Sequence, residues 1–309
     1  MLLDVSPNAI RRAAVLALTL TVGACAAPVD DDDSGDDDEI TAEPLARACN
    51  GMPALCAQPL DEVTFLRSHN SHASEERGYA AWSRNHTEAM PTQLADGVRA
   101  VNMDVYLEDG AMVVCHGYCF LGQQPFAEIL LELTTFLDAN PDEVVLLSLQ
   151  NEAPWPDTIA GLQAAGVPER AWVQDLGGPW PTLSTLLDAG TPLLVSAGSV
   201  PSDAPPWLLG EGALLWGDHW AAEVPADLDC ELENPAFEGG LYQYNNVLTA
   251  PLASPELADL VNHEPDLGDR LLECGAQNGR LPNIVSVDYY SVGDTAAAVR
   301  RVNEARVSP

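Results

Sequence analysis

The sequence predicts an α/β fold of the distorted (β/α)8, TIM-like barrel kind, and three observations carry that prediction. From residue 63 onward, short apolar and β-branched runs alternate with stretches of helical period, with no interior linker and no internal repeat. Residues 144–149 are almost wholly apolar, the mark of a parallel strand covered on both faces. Polar residues of catalytic type (His69, Asn102, Asp104, His116, Gln150 and Asp288) fall at or near the C-terminal ends of predicted strands, where such barrels place their chemistry. A chain of 309 residues is long enough for one large core of this class.

Residues 1–24 have the layout of a secretory signal peptide: Arg11-Arg12, an apolar run over 13–22, then Gly23-Ala24 before Cys25. The run is too short for a lasting membrane span. Val22-Gly23-Ala24-Cys25 resembles a bacterial lipobox, which implies lipidation of Cys25 and anchoring to a membrane. An ordinary signal with a chance cysteine is the alternative, and either makes the protein an exported one, a bacterial cell-envelope lipoprotein or a secreted protein. Residues 25–45 carry the acidic blocks 30–33 and 36–39, which repel themselves and bury no apolar area, so they form a flexible linker. The barrel domain is expected over 46–309.

A first strand is expected at 63–66, with His69 just past its end. A short helix over 92–96 precedes a strand at 98–106, in which Asn102 and Asp104, two residues apart, project to one face. Glu108-Asp109-Gly110 turns the chain into a strand at 111–115, ending before His116. Residues 125–139 place Ile129, Leu130, Leu133, Phe136 and Leu137 at helical spacing behind Pro125, and Asn140-Pro141 stops the helix. After the strand at 144–149, helices are expected at 159–165 and 183–189 and strands at 192–196 and 213–216. A last strand at 284–287 leads to Asp288, and a helix over 295–302 closes the chain.

From Ile40 onward 11 arginines and no lysine face 38 acidic residues, a net charge of −27. That excludes nucleic acid as a partner, since binding it needs a basic stripe. Of the seven cysteines, six remain beside Cys25. Their placement suggests Cys49 with Cys56, Cys115 with Cys119 and Cys230 with Cys274, although six cysteines allow fifteen pairings. Neither close pair has metal-binding spacing, and exported thiols oxidise.

Several stretches, taken in order, resemble the X-domain of phosphatidylinositol-specific phospholipases C and their secreted PLC-like phosphodiesterase relatives. They are Val63-Thr64-Phe65 before His69-Asn70-Ser71, Gln93-Leu94 before Gly97-Val98-Arg99, Cys115-His116-Gly117, Asn140-Pro141-Asp142-Glu143-Val144-Val145, and Pro282-Asn283 before Val287-Asp288. Cys49-Asn50-Gly51 with Leu55-Cys56 resembles the secreted branch. The resemblance runs from Cys49 to the end, dense up to Glu152 and thin between Pro154 and Gly279.

This resemblance implies a barrel that cleaves a phosphodiester with two histidines. His69 matches the general base, taking the proton of an inositol 2-hydroxyl. His116 matches the general acid, protonating the departing glycerol oxygen. Asp288 matches the carboxylate that orients His69. Asn70, Asn102, Asp104 and Gln150 match the ligands of the calcium-dependent members, so Ca2+ is the implied cofactor. Here the chain departs from the pattern, because those members usually carry Glu where Asn102 and Gln150 stand. Only Asp104 keeps a charge, which predicts a weak or lost calcium site.

Arg99 is the nearest alternative cation, but it lies an odd number of residues from Asp104 and is expected in a structural salt bridge. His72, His86, His219 and His263 are expected on loop surfaces. Trp207, Trp216 and Trp220 would either wall a lipid pocket or pack in the core or a lid. The substrate implied is phosphatidylinositol or a related phospholipid, with a glycerophosphodiester as the alternative. A surface lipoprotein that binds headgroups or partners without turnover is the non-enzymatic alternative.

Overall fold

A computed structural model describes residues 47–308 apart from residue 221. The expected signal peptide, the lipidated Cys25 and the linker over 25–45 lie outside the described residues. Among the described residues, eleven strands and seven α-helices follow in chain order. They are β1 (Phe65–Ser68), α1 (Met90–Ala95), β2 (Ala100–Glu108), β3 (Ala111–Cys115), β4 (Gln123–Pro125), α2 (Phe126–Ala139), β5 (Val145–Asn151), α3 (Trp155–Ala164) and α4 (Leu183–Asp188). Next come β6 (Leu193–Ala197), β7 (Leu208–Gly210), β8 (Leu215–Asp218), β9 (Leu232–Asn234), β10 (Leu241–Asn246), α5 (Pro255–Asp259), α6 (Asp266–Asn278), β11 (Ile284–Val287) and α7 (Thr295–Val307).

One sheet holds every strand, in the order β7-β6-β5-β2-β1-β11-β10-β8-β9, with the β3–β4 hairpin hung on β2. All ladders from β7 to β8 along this path are parallel, and β9 runs antiparallel to β8. The sheet curls into a barrel that no β7–β8 ladder closes. Instead the 3-10 turn Glu211–Ala213 joins these two strands across the gap. The Glu211 carboxylate accepts from Ser148 on β5 and from Ser196 on β6, the latter at 3.1 Å. This part-buried network ties the start of the turn to β5 and β6, on the side that backbone pairing already joins to β7, and the β7–β8 side stays open, which is the distortion of the barrel.

The outer face of the strands packs against the helices. Leu147 and Leu149 of β5, Val101, Met103 and Val105 of β2, and Ile129, Leu130 and Leu133 of α2 share one core. Odd residues of β2 therefore face the helices, and the even ones, Asn102 and Asp104, face the barrel interior. Three disulfides are formed, Cys49–Cys56, Cys115–Cys119 and Cys230–Cys274. Arg99 makes its structural pair, its Nε 2.7 Å from Glu143 Oε2.

Strand β10 and helix α6 were not expected. The inward face of β10 carries Gln243 and Asn245, so the strand lacks an apolar run although Tyr242 and Tyr244 bury its other face. In α6, Leu267, Leu271 and Cys274 are buried at helical spacing. Among the described residues, no helix is long and apolar enough to cross a membrane.

Candidate active site

Parallel pairing of β1 with β11 sets Ser68 opposite Val287, so the next residues, His69 and Asp288, leave the sheet side by side. The His69 N–H donates to the Val287 carbonyl at 3.0 Å, and His69 Nδ1–H donates to Asp288 Oδ1 at 3.0 Å. Asp288 is buried, and His69 is about one-third exposed, at 34% of its side chain. Burial works against ionising Asp288. The neighbouring His69, its hydrogen bond and that of Asn85 outweigh it and hold the carboxyl below the usual range. With Nδ1 committed to a carboxylate, His69 keeps Nε2 as its basic nitrogen.

His116 follows β3 inside the loop closed by Cys115–Cys119. Its Nδ1–H donates to the Ser83 carbonyl at 3.1 Å, which again leaves Nε2 for proton exchange. Burial, and next the nearby His69, lower its pKa. Two imidazoles that disfavour simultaneous protonation suit a reaction needing one neutral and one charged.

Both histidines, Asp288, Asn70, Asn102, Asp104 and Gln150 line one cleft of about 950 Å³. The implied metal ligands are therefore gathered, yet their donors fit calcium poorly. Asn102 Oδ1 accepts from the Asn70 backbone N–H at 3.1 Å. This bond stabilises the left-handed bend at Asn70, φ 51°. Asn70 Nδ2 donates to Asn85 Oδ1 at 3.3 Å. Asp104 sits opposite Gln150 in the β2–β5 register, with Oδ1 buried and unpartnered. Burial raises its pKa to about 7, and it is the one carboxylate among the four implied ligands, where calcium affinity follows ligand charge. No group of three or more His, Cys, Asp or Glu converges on a metal position among the described residues.

The expected loop-surface placement fails for two histidines. His72 and His86 are buried, because each is roofed by tyrosine, His72 against Tyr79 and His86 between Tyr289 and Tyr290. His86 Nε2–H donates to the His69 carbonyl at 2.7 Å. His219 and His263 are exposed, and His263 pairs with Asp259 at 2.9 Å. Of the tryptophans, Trp207 packs in the core, Trp216 stacks on Tyr242 at 4.4 Å, and Trp216 and Trp220 line the cleft.

Sequence reasoning missed Arg84, Asn85 and the pair Asp218 with Asn245. Arg84 lines the cleft and pairs with Glu75 at 2.8 Å. Asp218 Oδ1 accepts the Asn245 backbone N–H at 2.9 Å, and burial raises this carboxyl to about 7 as well. No local motif marks any of them, and the partners of Asn85 and Asp218, Asp288 and Asn245, lie 203 and 27 residues further along the chain.

The PI-PLC X 1 family model matches residues 55–303. Among curated proteins, the chain is similar to the PI-PLC X domain-containing protein 1 of Arthroderma benhamiae, at 25% identity over 86% of this chain and 93% of that protein. It is also similar to an uncharacterized secreted protein of the same fungus, at 24% identity over 83% of this chain and 63% of the other's length. Among solved structures, two variants of phosphatidylinositol-specific phospholipase C from Staphylococcus aureus align at 14% identity. One has a TM-score of 0.56 over 80% of this chain and 95% of that one, the other 0.57 over 85% and 99%. At that identity the likeness shows the fold alone, a TIM-barrel-like one.

Proposed function

Because the chain belongs to the PI-PLC X family, we propose that it is an exported phosphoric diester hydrolase that cleaves phosphatidylinositol or a related phospholipid with two histidines. One observation supports this above the rest: His69 and His116 line a single cleft, each with Nδ1 tied to a fixed acceptor and Nε2 left for the substrate.

In the first step His69 Nε2 takes the proton of the headgroup hydroxyl adjacent to the phosphate. The hydroxyl oxygen attacks phosphorus, and the bond to the glycerol oxygen breaks as His116 delivers its proton there. Diacylglycerol leaves and a cyclic phosphate remains. Asp288 stabilises the imidazolium that forms on His69. Arg84, on the cleft wall and ion-paired to Glu75 through Nη1, is the cation we assign to the developing phosphate charge.

A lipid substrate is supported by the mouth of the cleft. Trp82 and Trp220, 64% and 65% exposed, line it. Tyr118 and Phe120, 69% and 83% exposed, project from the loop after His116. Phosphodiester hydrolysis on phosphatidylinositol vesicles, with calcium and with chelator, beside His69→Ala and His116→Ala, tests the reading. Turnover lost in both variants supports it. A folded wild type that turns over neither this lipid nor other phosphodiesters points instead to a headgroup-binding lipoprotein.

A further inference from the structure

Residues 83–86 touch all three residues of the proposed acid–base machinery. The Ser83 carbonyl accepts from His116. Asn85 Nδ2 donates to Asp288 Oδ1 at 2.7 Å, the same oxygen that His69 Nδ1–H reaches at 3.0 Å. The Asn85 carbonyl accepts the Tyr289 N–H at 2.7 Å, so Asn85 grips both the Asp288 side chain and the peptide that follows it. Asn85 Oδ1 accepts from Asn70, the neighbour of His69. His86 Nε2–H holds the His69 carbonyl.

The segment is itself anchored. The Asn85 N–H donates to the Ala73 carbonyl at 2.8 Å, and the His86 carbonyl accepts from Glu75 at 2.9 Å. Asn85 and His86 are both buried. Three residues of one four-residue segment, Ser83, Asn85 and His86, therefore link acid, orienting carboxylate and base, which lie on three different strand ends.

We infer that residues 83–86 form a positioning strap that fixes the base pair and the acid in one frame, with Asn85 as its decisive positioning residue. The physical role of Asn85 is to fill the second hydrogen-bonding direction of Asp288 Oδ1. That leaves the carboxylate one orientation in which it meets His69 Nδ1. Asn85 is buried at the wall of the cleft, and it acts through Asp288 and Asn70. An amide suits this task because its donor and acceptor are separate atoms, Nδ2 reaching Asp288 and Oδ1 reaching Asn70.

The inference rests on the two-histidine reading, so its test has an arm that needs no turnover. In the full chain, Asn85→Leu keeps the number and branching of the side-chain heavy atoms and removes both polar groups. Expected are a kcat on phosphatidylinositol vesicles lower by about 10- to 100-fold with KM changed less than about twofold, and loss of the downfield His69 Nδ1–H proton resonance through exchange with water. Asn85→Ser serves if the leucine variant does not fold, with the same expectation. A folded variant that keeps that resonance and its kcat, whatever its melting temperature, overturns the inference. Should the wild type show no hydrolysis, the proposed function fails while the resonance still decides whether Asn85 orients the pair.

Discussion

His116 donates its Nδ1–H to the carbonyl of Ser83 at 3.1 Å, which ties the residue proposed as proton donor to a neutral acceptor, whereas His69 is tied to a carboxylate. A neutral partner does little to favour the imidazolium, and burial with the nearby His69 lowers the His116 pKa. The donor must be charged to act, so its active fraction falls as pH rises through that lowered value. The alkaline limb of the kcat profile is therefore expected below about pH 6.5, the ordinary histidine value. A pH–rate series on vesicles from pH 4 to 9 checks this, and a limb above neutrality would reassign the acid.

Removing the acid–base groups should cost more than removing any wall residue. His69→Ala and His116→Ala are each expected to lower kcat by about 10²–10⁴-fold, and Asp288→Asn by a similar factor through a misplaced tautomer. Circular dichroism should show all three folded. A variant within tenfold of wild type would remove that residue from the mechanism.

Asp104 links the metal question to stability. Its carboxyl titrates near 7 in the fold against 3.8 ordinarily, so folding favours the protonated form. The contribution is present in full below pH 4 and is lost as pH rises through about 7. Asp104→Asn should therefore raise the melting temperature at pH 8 and leave it nearly unchanged at pH 3, with about 4 kcal/mol as the upper bound of the gain. Calcium added at pH 8 should not stabilise the wild type in the same scan, and chelator should leave turnover unchanged. A calcium-dependent rise in melting temperature that Asp104→Asn abolishes would restore the metal site.

The disulfides should separate stability from activity. Cys230–Cys274 joins residues 44 apart, and losing it is expected to cost about 4 kcal/mol with little change in kcat. Cys115–Cys119 spans only 4 residues, so its loss costs about 2 kcal/mol by the same reasoning. That short loop carries His116, however, and Cys115→Ser with Cys119→Ser should lower kcat while KM holds. Denaturant melts and steady-state rates on both double variants give the answer.

What the chain reveals to a reader follows the physics of each element. Strands β1, β2, β3, β5 and β11 could be recognised because their apolar or alternating pattern stops at or is broken by a polar residue: His69, His116, Gln150 and Asp288 at the ends of β1, β3, β5 and β11, and Asn102 with Asp104 inside β2. β10 escaped because its inward residues, Gln243 and Asn245, serve the cleft and erase the apolar run. His72 and His86 were misplaced because their cover comes from Tyr79, Tyr289 and Tyr290, two of them about 200 residues away from His86 in sequence. Asn85 had no signal at all, since its meaning lies in Asp288.

The exposed aromatics offer the last discrimination, between a lipid surface and a soluble diester. Trp82 belongs to the segment leading into the strap, and the Ala80 N–H donates to the Leu121 carbonyl at 2.7 Å, so the loops bearing Trp82, Tyr118 and Phe120 are joined. Large apolar side chains on one joined rim are unfavourable in water and favourable in a bilayer interface, where aromatic rings gain most. Each ring left buried there is worth about 1.5–3 kcal/mol. Trp82→Ala with Phe120→Ala should therefore weaken binding to phosphatidylcholine vesicles holding a minor fraction of phosphatidylinositol by about 100-fold or more, measured by sedimentation. The same variant should keep its rate on a short-chain, monomeric substrate, because neither ring belongs to the acid–base pair. Equal losses on both substrates would mean that the rim shapes the cleft rather than meeting a membrane.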